Sequence, residues 1–234
     1  MASTGLGVGI YTPGEAARIA QMQPQRVRRW INGYAYKQGE KRRKSPPIFR
    51  RDLAALDGKN ALTFLDLVEV LFVKAFLQHG VSPYGIRRAA EEASTMFNTN
   101  HPFCVKRFET DGRTVIARIV KDDGEERLVD LAAKQTLFRS VFTPLLINLE
   151  YDLGTGDATR WWPLGKKKPV VLDPARAFGA AIVLPSTVPA RSLAGARRAG
   201  ETYERISNWF GVTKKEISAA VEFENLIAPH ASAA

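Results

Sequence analysis

Residues 12–33 carry the strongest local constraint on folding. Thr12-Pro13-Gly14-Glu15 is a capping box with proline at the first helical position. Its threonine hydroxyl accepts from an orphan backbone amide, and its glutamate reaches back to the cap. The helix continues through Ala20 with Ile19 available for packing, and Gln21-Met22-Gln23 makes a turn. Pro24 then starts a second helix, Pro24–Asn32, and Gly33 ends it. The pattern predicts a helix-turn-helix.

On the second helix Val27 and Ile31 share one face with Trp30 nearby, which leaves Gln25, Arg26, Arg28 and Arg29 largely outward. Such a helix suits the major groove. Glutamine bonds adenine edges, arginine grips guanine bidentately, and the remaining cations clamp phosphates. A packed helical pair with a solvated basic face is the alternative. The capping box, the tight turn and the arginine cluster together favour DNA, and the stretch Tyr34–Phe49 strengthens this. It sets Lys37, Lys41, Arg42, Arg43 and Lys44 between the anchors Tyr34, Tyr36, Ile48 and Phe49, with Gly39 for a turn. That suits a basic hairpin, or wing, laid on a phosphate backbone, with Pro46-Pro47 making its base irregular. The candidate DNA-contacting residues are therefore Thr12, Gln23, Gln25, Arg26, Arg28, Arg29, Trp30, Tyr34, Lys37, Lys41, Arg42, Arg43 and Lys44.

Charge distribution points the same way. Of a net +10 over 234 residues, residues 1–51 hold 11 Lys/Arg against two acids, while residues 52–234 hold 23 against 22. A concentrated block favours a polyanion partner, where an even spread would speak only for solubility.

Tyr11-Thr12-Pro13-Gly14-Glu15-Ala16-Ala17 followed by Val27-Arg28-Arg29-Trp30 resembles the helix-turn-helix of MerR-type regulators. Phe64-Leu65-Asp66-Leu67, Phe72 and Gly80-Val81-Ser82 through Ile86-Arg87 are similar to that family's second helical pair. The resemblance spans about residues 10–90. It implies a dimeric winged-helix regulator with Pro24–Asn32 as recognition helix. The chain departs from the family in its long basic insert and in lacking an extended heptad helix afterwards.

The middle of the chain mixes signals. Phe103–Phe108 and Thr114–Val120 read as strands around an Asp111-Gly112 hairpin turn, and Asp123-Gly124 marks a second turn before Arg127–Leu131. Leu137, Val141, Leu145 and Leu149 then fall at helical spacing over about 132–149. Val170-Val171-Leu172-Asp173-Pro174 reads as a short strand closed by a turn.

A second helix–turn pattern ends the chain. Gly211 stops the helix that begins near Gly200, Thr213 and Glu216 form another capping box, and Ile217, Ala220, Val221 and Phe223 give the next helix an apolar face. Here Lys214 and Lys215 are opposed by Glu201, Glu204, Glu216, Glu222 and Glu224, so a protein contact is favoured over DNA. Val171-Leu172-Asp173-Pro174, Phe178-Gly179-Ala180-Ala181-Ile182-Val183, Val188-Pro189-Ala190-Arg191-Ser192-Leu193 and the helical pair are together similar to a domain of VapB-type antitoxins. Those are encoded beside PIN-like ribonuclease toxins, which implies toxin binding. Candidate partner-contacting residues are Lys166, Lys167, Lys168, Arg191, Arg197, Arg198 and Trp209.

Several classes are disfavoured. A single cysteine, Cys104, makes no internal disulfide, and three scattered histidines predict no zinc-type ligand cluster and no metal or cofactor. Leu62–Gln78 is apolar but carries Asp66, Glu69 and Lys74, which are costly in lipid. No catalytic constellation emerges, so an enzyme is not expected.

The expected architecture is mainly α with a small β component (α+β): a winged helix-turn-helix over 1–95, a mixed β-hairpin/helix block over 96–168, a helix-turn-helix-like domain over 169–227 and a disordered tail, 228–234. The expected protein is a cytoplasmic, nucleoid-associated homodimer. It would be the antitoxin of a type II toxin–antitoxin pair, repressing its own promoter and neutralising a PIN-like ribonuclease. The alternative is a MerR-like transcriptional regulator that responds to a small molecule and has no toxin partner.

Overall fold

Residues 7–53, 60–109, 111–112 and 142–228 are described by a computed structural model of the chain. The fold is α+β and mainly helical. Helix α1 (Pro13–Ile19) opens on the expected box: the Glu15 amide donates to Thr12 Oγ1 at 3.1 Å and the Thr12 amide to Glu15 Oε2 at 2.8 Å. In the turn Gln21 takes a φ of +51°, and α2 (Pro24–Asn32) follows.

Strands β1 (Tyr34–Gln38) and β2 (Lys41–Ser45) pair antiparallel, from Tyr34 opposite Ser45 to Gln38 opposite Lys41. The ladder is regular and stops before Pro46-Pro47, so the irregularity expected at its base lies outside the strands. Gly33, at φ +69°, turns the chain from α2 into β1. A Cβ there would lie 2.4 Å from the Ser45 carbonyl, so only glycine allows the wing to close this tightly on the helix. The chain returns through Ile48, whose amide donates to the Trp30 carbonyl at 2.8 Å.

Helix α3 (Phe64–Gln78) is the axle of the molecule. It is buried on nearly all sides, which explains its continuous apolar run, and no helix among the described residues is long and apolar enough to cross a membrane. Its Asp66 and Glu69 are both fully buried, and burial pushes the Glu69 carboxyl up to about 7. Helix α4 (Pro83–Phe97) packs beside α3 and runs past the boundary expected at residue 95.

The middle block corrects two expectations. Phe103–Phe108 is not a strand. Pro102–Cys104 forms a 3₁₀ turn, Val105 makes a single bridge to Asp157, and residues 107–109 and 111–112 are helical, so Asp111-Gly112 is no hairpin turn. The reason is tertiary. Phe103 and Phe108 join Phe72, Phe76 and Phe142 in one buried aromatic cluster with ring centroids 4.6–5.9 Å apart, which rewards helical clustering over alternation. Leu149 does not continue the helical stretch at 142–146 but begins β3 (Leu149–Tyr151). The readings over Thr114–Val120, Asp123-Gly124, Arg127–Leu131, the first part of 132–149 and the tail from 229 fall outside the described residues.

Strands β3, β4 (Ala158–Trp161), β5 (Val170–Leu172) and β6 (Ala181–Val183) form a four-stranded antiparallel meander in that order. The strand expected over Val170–Leu172 is thus present. Three helices follow: α5 (Ala190–Arg198), α6 (Tyr203–Phe210) and α7 (Lys214–Leu226). Gly211 ends α6 in the left-handed region at φ +64°, and the Thr213–Glu216 capping box opens α7 with both reciprocal bonds. One continuous core runs from Tyr11 to Ile227. The Tyr11 hydroxyl donates to the Gly179 carbonyl at 2.6 Å, and the Ile10 amide to the Phe178 carbonyl at 3.1 Å, so the N-terminal unit and the C-terminal half meet along a hydrogen-bonded seam.

Candidate nucleic-acid interface

Helix α2 is amphipathic in the expected sense. Val27, Trp30 and Ile31 are buried, and Gln25, Arg26, Arg28 and Arg29 are exposed. Trp30 is only 7% exposed, so of the candidate contact residues it is the one placed in the core, where it anchors the helix rather than presenting a ring to solvent. Its apolar neighbours at i−3 and i+1 pull it inward, and that signal was already in the sequence. Gln23 is the exposed N-cap of α2 with no side-chain bond to the helix. Thr12 is exposed, but its hydroxyl is committed to the α1 cap, since it also donates to Glu15 Oε2 at 2.9 Å.

The wing's register sorts its side chains onto two faces. Tyr34, Tyr36, Lys41 and Arg43 share one face, and Lys37, Arg42 and Lys44 share the other. All seven are exposed. Tyr34 and Tyr36 lie with ring centroids 5.9 Å apart, and the Arg29 guanidinium sits 5.5 Å over the Tyr34 ring, so a cation–π contact joins helix and wing into one surface. Arg87 on α4 braces the wing base, reaching Ser45 Oγ and the Pro46 carbonyl at 3.4 Å each.

No carboxylate among the described residues pairs with Arg26, Arg28, Arg29 or the five wing cations. Beside α2 lies a cleft of about 670 Å³ lined by Gln23, Arg26, Arg29, Trp30, Lys74 and Gln78, among others. Lys74 was not singled out as a site residue. Partial burial holds its amine below the usual range, and it adds a further cation to this side of the molecule. Chemically the surface offers guanidinium and amide groups on a helix flanked by cations on a hairpin, which is a set of donors for phosphate oxygens and base edges.

The second set of candidate residues is scattered and largely engaged. Lys166, Lys167, Arg191 and Arg198 are exposed. Lys168 pairs with Glu222, and Arg197 bonds the Glu201 carbonyl while stacking 4.4 Å over Tyr203. Trp209 is 56% exposed, with the Arg205 guanidinium 5.0 Å over its ring. Exposed Phe210, beside Trp209 at the end of α6, was missed, although an aromatic pair before a helix-ending glycine marks it in the sequence.

No family model matches the chain. A curated relative is the candidate antitoxin VapB45 of Mycobacterium tuberculosis, 26% identical, with 92% of this chain and 93% of that protein covered. Among solved structures, Rv2018 of Mycobacterium tuberculosis superposes with a TM-score of 0.71 at 23% identity, covering 92% of this chain and 99% of that one. The chain is thus distantly similar, along nearly its whole length, to a protein named as an antitoxin, and it shares its overall fold with Rv2018.

Proposed function

We propose that the chain is the antitoxin of a type II toxin–antitoxin pair. On this reading α2 and the β1–β2 wing bind the operator of its own promoter as a homodimer, and the C-terminal half binds and neutralises a PIN-like ribonuclease. The observation that carries the reading is the end-to-end similarity to VapB45, because it takes in the winged unit and the C-terminal helices together. The exposed cations of α2 and the hairpin, without carboxylate partners among the described residues, support the DNA half. Supporting the toxin half, the Trp209–Phe210 pair at the end of α6 is exposed, aromatic surface of the kind protein contacts use.

The test is co-expression with the product of the neighbouring gene. The reading expects that product alone to arrest growth, the arrest to be relieved by this chain, and the two proteins to co-elute. Growth arrest that persists, with no co-elution, removes the antitoxin role. Promoter affinity that changes only on binding a small molecule would favour a MerR-like regulator instead.

A further inference from the structure

Glu69 and a His101–Cys104 pair more than thirty residues further along the chain converge in the buried centre of the molecule. Glu69 on α3, His101 before the 3₁₀ turn and Cys104 within it each offer a ligand atom, and these atoms lie within 4.8 Å of one another. All three residues are buried: Glu69 and Cys104 fully, and His101 to 4% exposure. His101 and Cys104 are only three residues apart, but the distance to Glu69 hid the convergence from the sequence.

The polar contacts around the trio do not exhaust its bonding capacity. Glu69 Oε1 accepts from the Phe103 amide at 3.1 Å and lies 3.7 Å from Cys104 Sγ, but Glu69 Oε2 has no partner among the described residues. His101 Nε2 lies 2.7 Å from Asp52 Oδ2, leaving Nδ1 buried and also without a partner among the described residues. Cys104 Sγ donates to the Leu65 carbonyl at 3.3 Å. One turn before Glu69 on the same helix, Asp66 spends Oδ2 on the Thr63 amide and keeps a buried, unpartnered Oδ1. Three polar atoms left bare in a closed interior are costly unless something satisfies them.

We propose that Glu69, His101 and Cys104 bind a zinc-class divalent cation through Glu69 Oε2, His101 Nδ1 and Cys104 Sγ. The donor set of carboxylate, imidazole and thiolate is the one such ions select. Charge supports it too: a thiolate, a carboxylate and a neutral imidazole balance two positive charges, so the buried assembly becomes neutral on loading. Asp52 supplies the outer partner that metal-bound histidines commonly have, holding Nε2 so that Nδ1 faces the ion. Loading releases the Cys104 thiol proton, and the proton of Glu69 wherever that carboxyl carries one. The ion ties together α3, the 101–104 turn and, through Asp52, the segment that returns from the wing.

The full-length chain, stripped of metal and shown folded by circular dichroism, is titrated with Co²⁺ and separately with Zn²⁺. One equivalent of Co²⁺ should give a thiolate-to-cobalt charge-transfer band that Zn²⁺ abolishes, and Zn²⁺ should raise the melting temperature. Asp52→Asn should bind about 10–100-fold more weakly, with the band's shape retained. Cys104→Ser should lose the band. A folded wild-type chain that gives no band and no thermal shift overturns the site. So does cobalt uptake of equal affinity in wild type and in His101→Ala.

Discussion

The helix-turn-helix at the N-terminus and the α6–α7 hairpin near the C-terminus are built with the same local devices yet present opposite surfaces. Both use a Thr-to-Glu capping box, at Thr12 and Thr213, and both turn through a left-handed residue, Gln21 in one and Gly211 in the other. In the first, the exposed cations of α2 and the wing face solvent without carboxylate partners among the described residues. In the second, Arg205 pairs with Glu201 at 3.0 Å, Lys168 pairs with Glu222, and Lys214 and Arg197 both lie over Tyr203. The same helix–turn pattern is thus carried with different charge pairing at the two ends of the chain.

That contrast is open to direct attack. The largest effect is expected from replacing Lys41, Arg42, Arg43 and Lys44 together by alanine. Affinity for any duplex should fall by orders of magnitude at low salt, and the log–log salt slope should flatten by about 0.9 for each phosphate no longer neutralised. The matching change at the other end, Lys214→Ala with Lys215→Ala, should leave the slope where it was. Gel-shift titrations over a range of salt read both, and equal losses would erase the distinction.

Next in size are Arg28→Ala and Arg29→Ala. A bidentate bond to guanine is worth about 1–3 kcal/mol of base discrimination, so each substitution that removes one should lower operator affinity by roughly 5–150-fold and change non-specific binding far less. Competition against scrambled duplex separates the two effects. A uniform loss on both sequences would make these arginines phosphate clamps only.

The smallest effects test the shared devices. Thr12→Ala and Thr213→Ala should each cost about 1 kcal/mol of stability, read as a shift of the denaturation midpoint. At the second box there is a pH signature. Burial raises the Glu216 carboxyl, but hydrogen bonds from Thr213 and Ser186 outweigh it and hold the group below its ordinary range. The stabilisation is thus present above the unfolded carboxylate's pKa and is lost as pH falls through the lower folded value. Wild type should approach Thr213→Ala in stability on acidification, and a constant gap between them down to strongly acidic pH would remove Glu216 from the cap's energetics.

Legibility in the sequence followed the range of the interaction. Both capping boxes, the turn at 21–23, the β1–β2 hairpin and the stop at Gly211 depend on neighbours within a few residues, and each lies where the local pattern put it. Phe103–Phe108 was misread because its composition is strand-like while its conformation answers to Phe72, Phe76 and Phe142, partners from other parts of the chain. Lys168 could not be recognised as paired, since Glu222 lies 54 residues away. The convergence of Glu69, His101 and Cys104 was hidden for the same reason. Among the candidate contact residues, the outward set on α2 followed from helical periodicity, and only Trp30 turned inward.

The most direct test of the central claim is amide hydrogen exchange of the full-length chain with and without a duplex of its own promoter. DNA binding through the first unit predicts new protection over residues 24–45 and none over 203–226. Protection confined to 203–226, or none anywhere at saturating DNA, would contradict it.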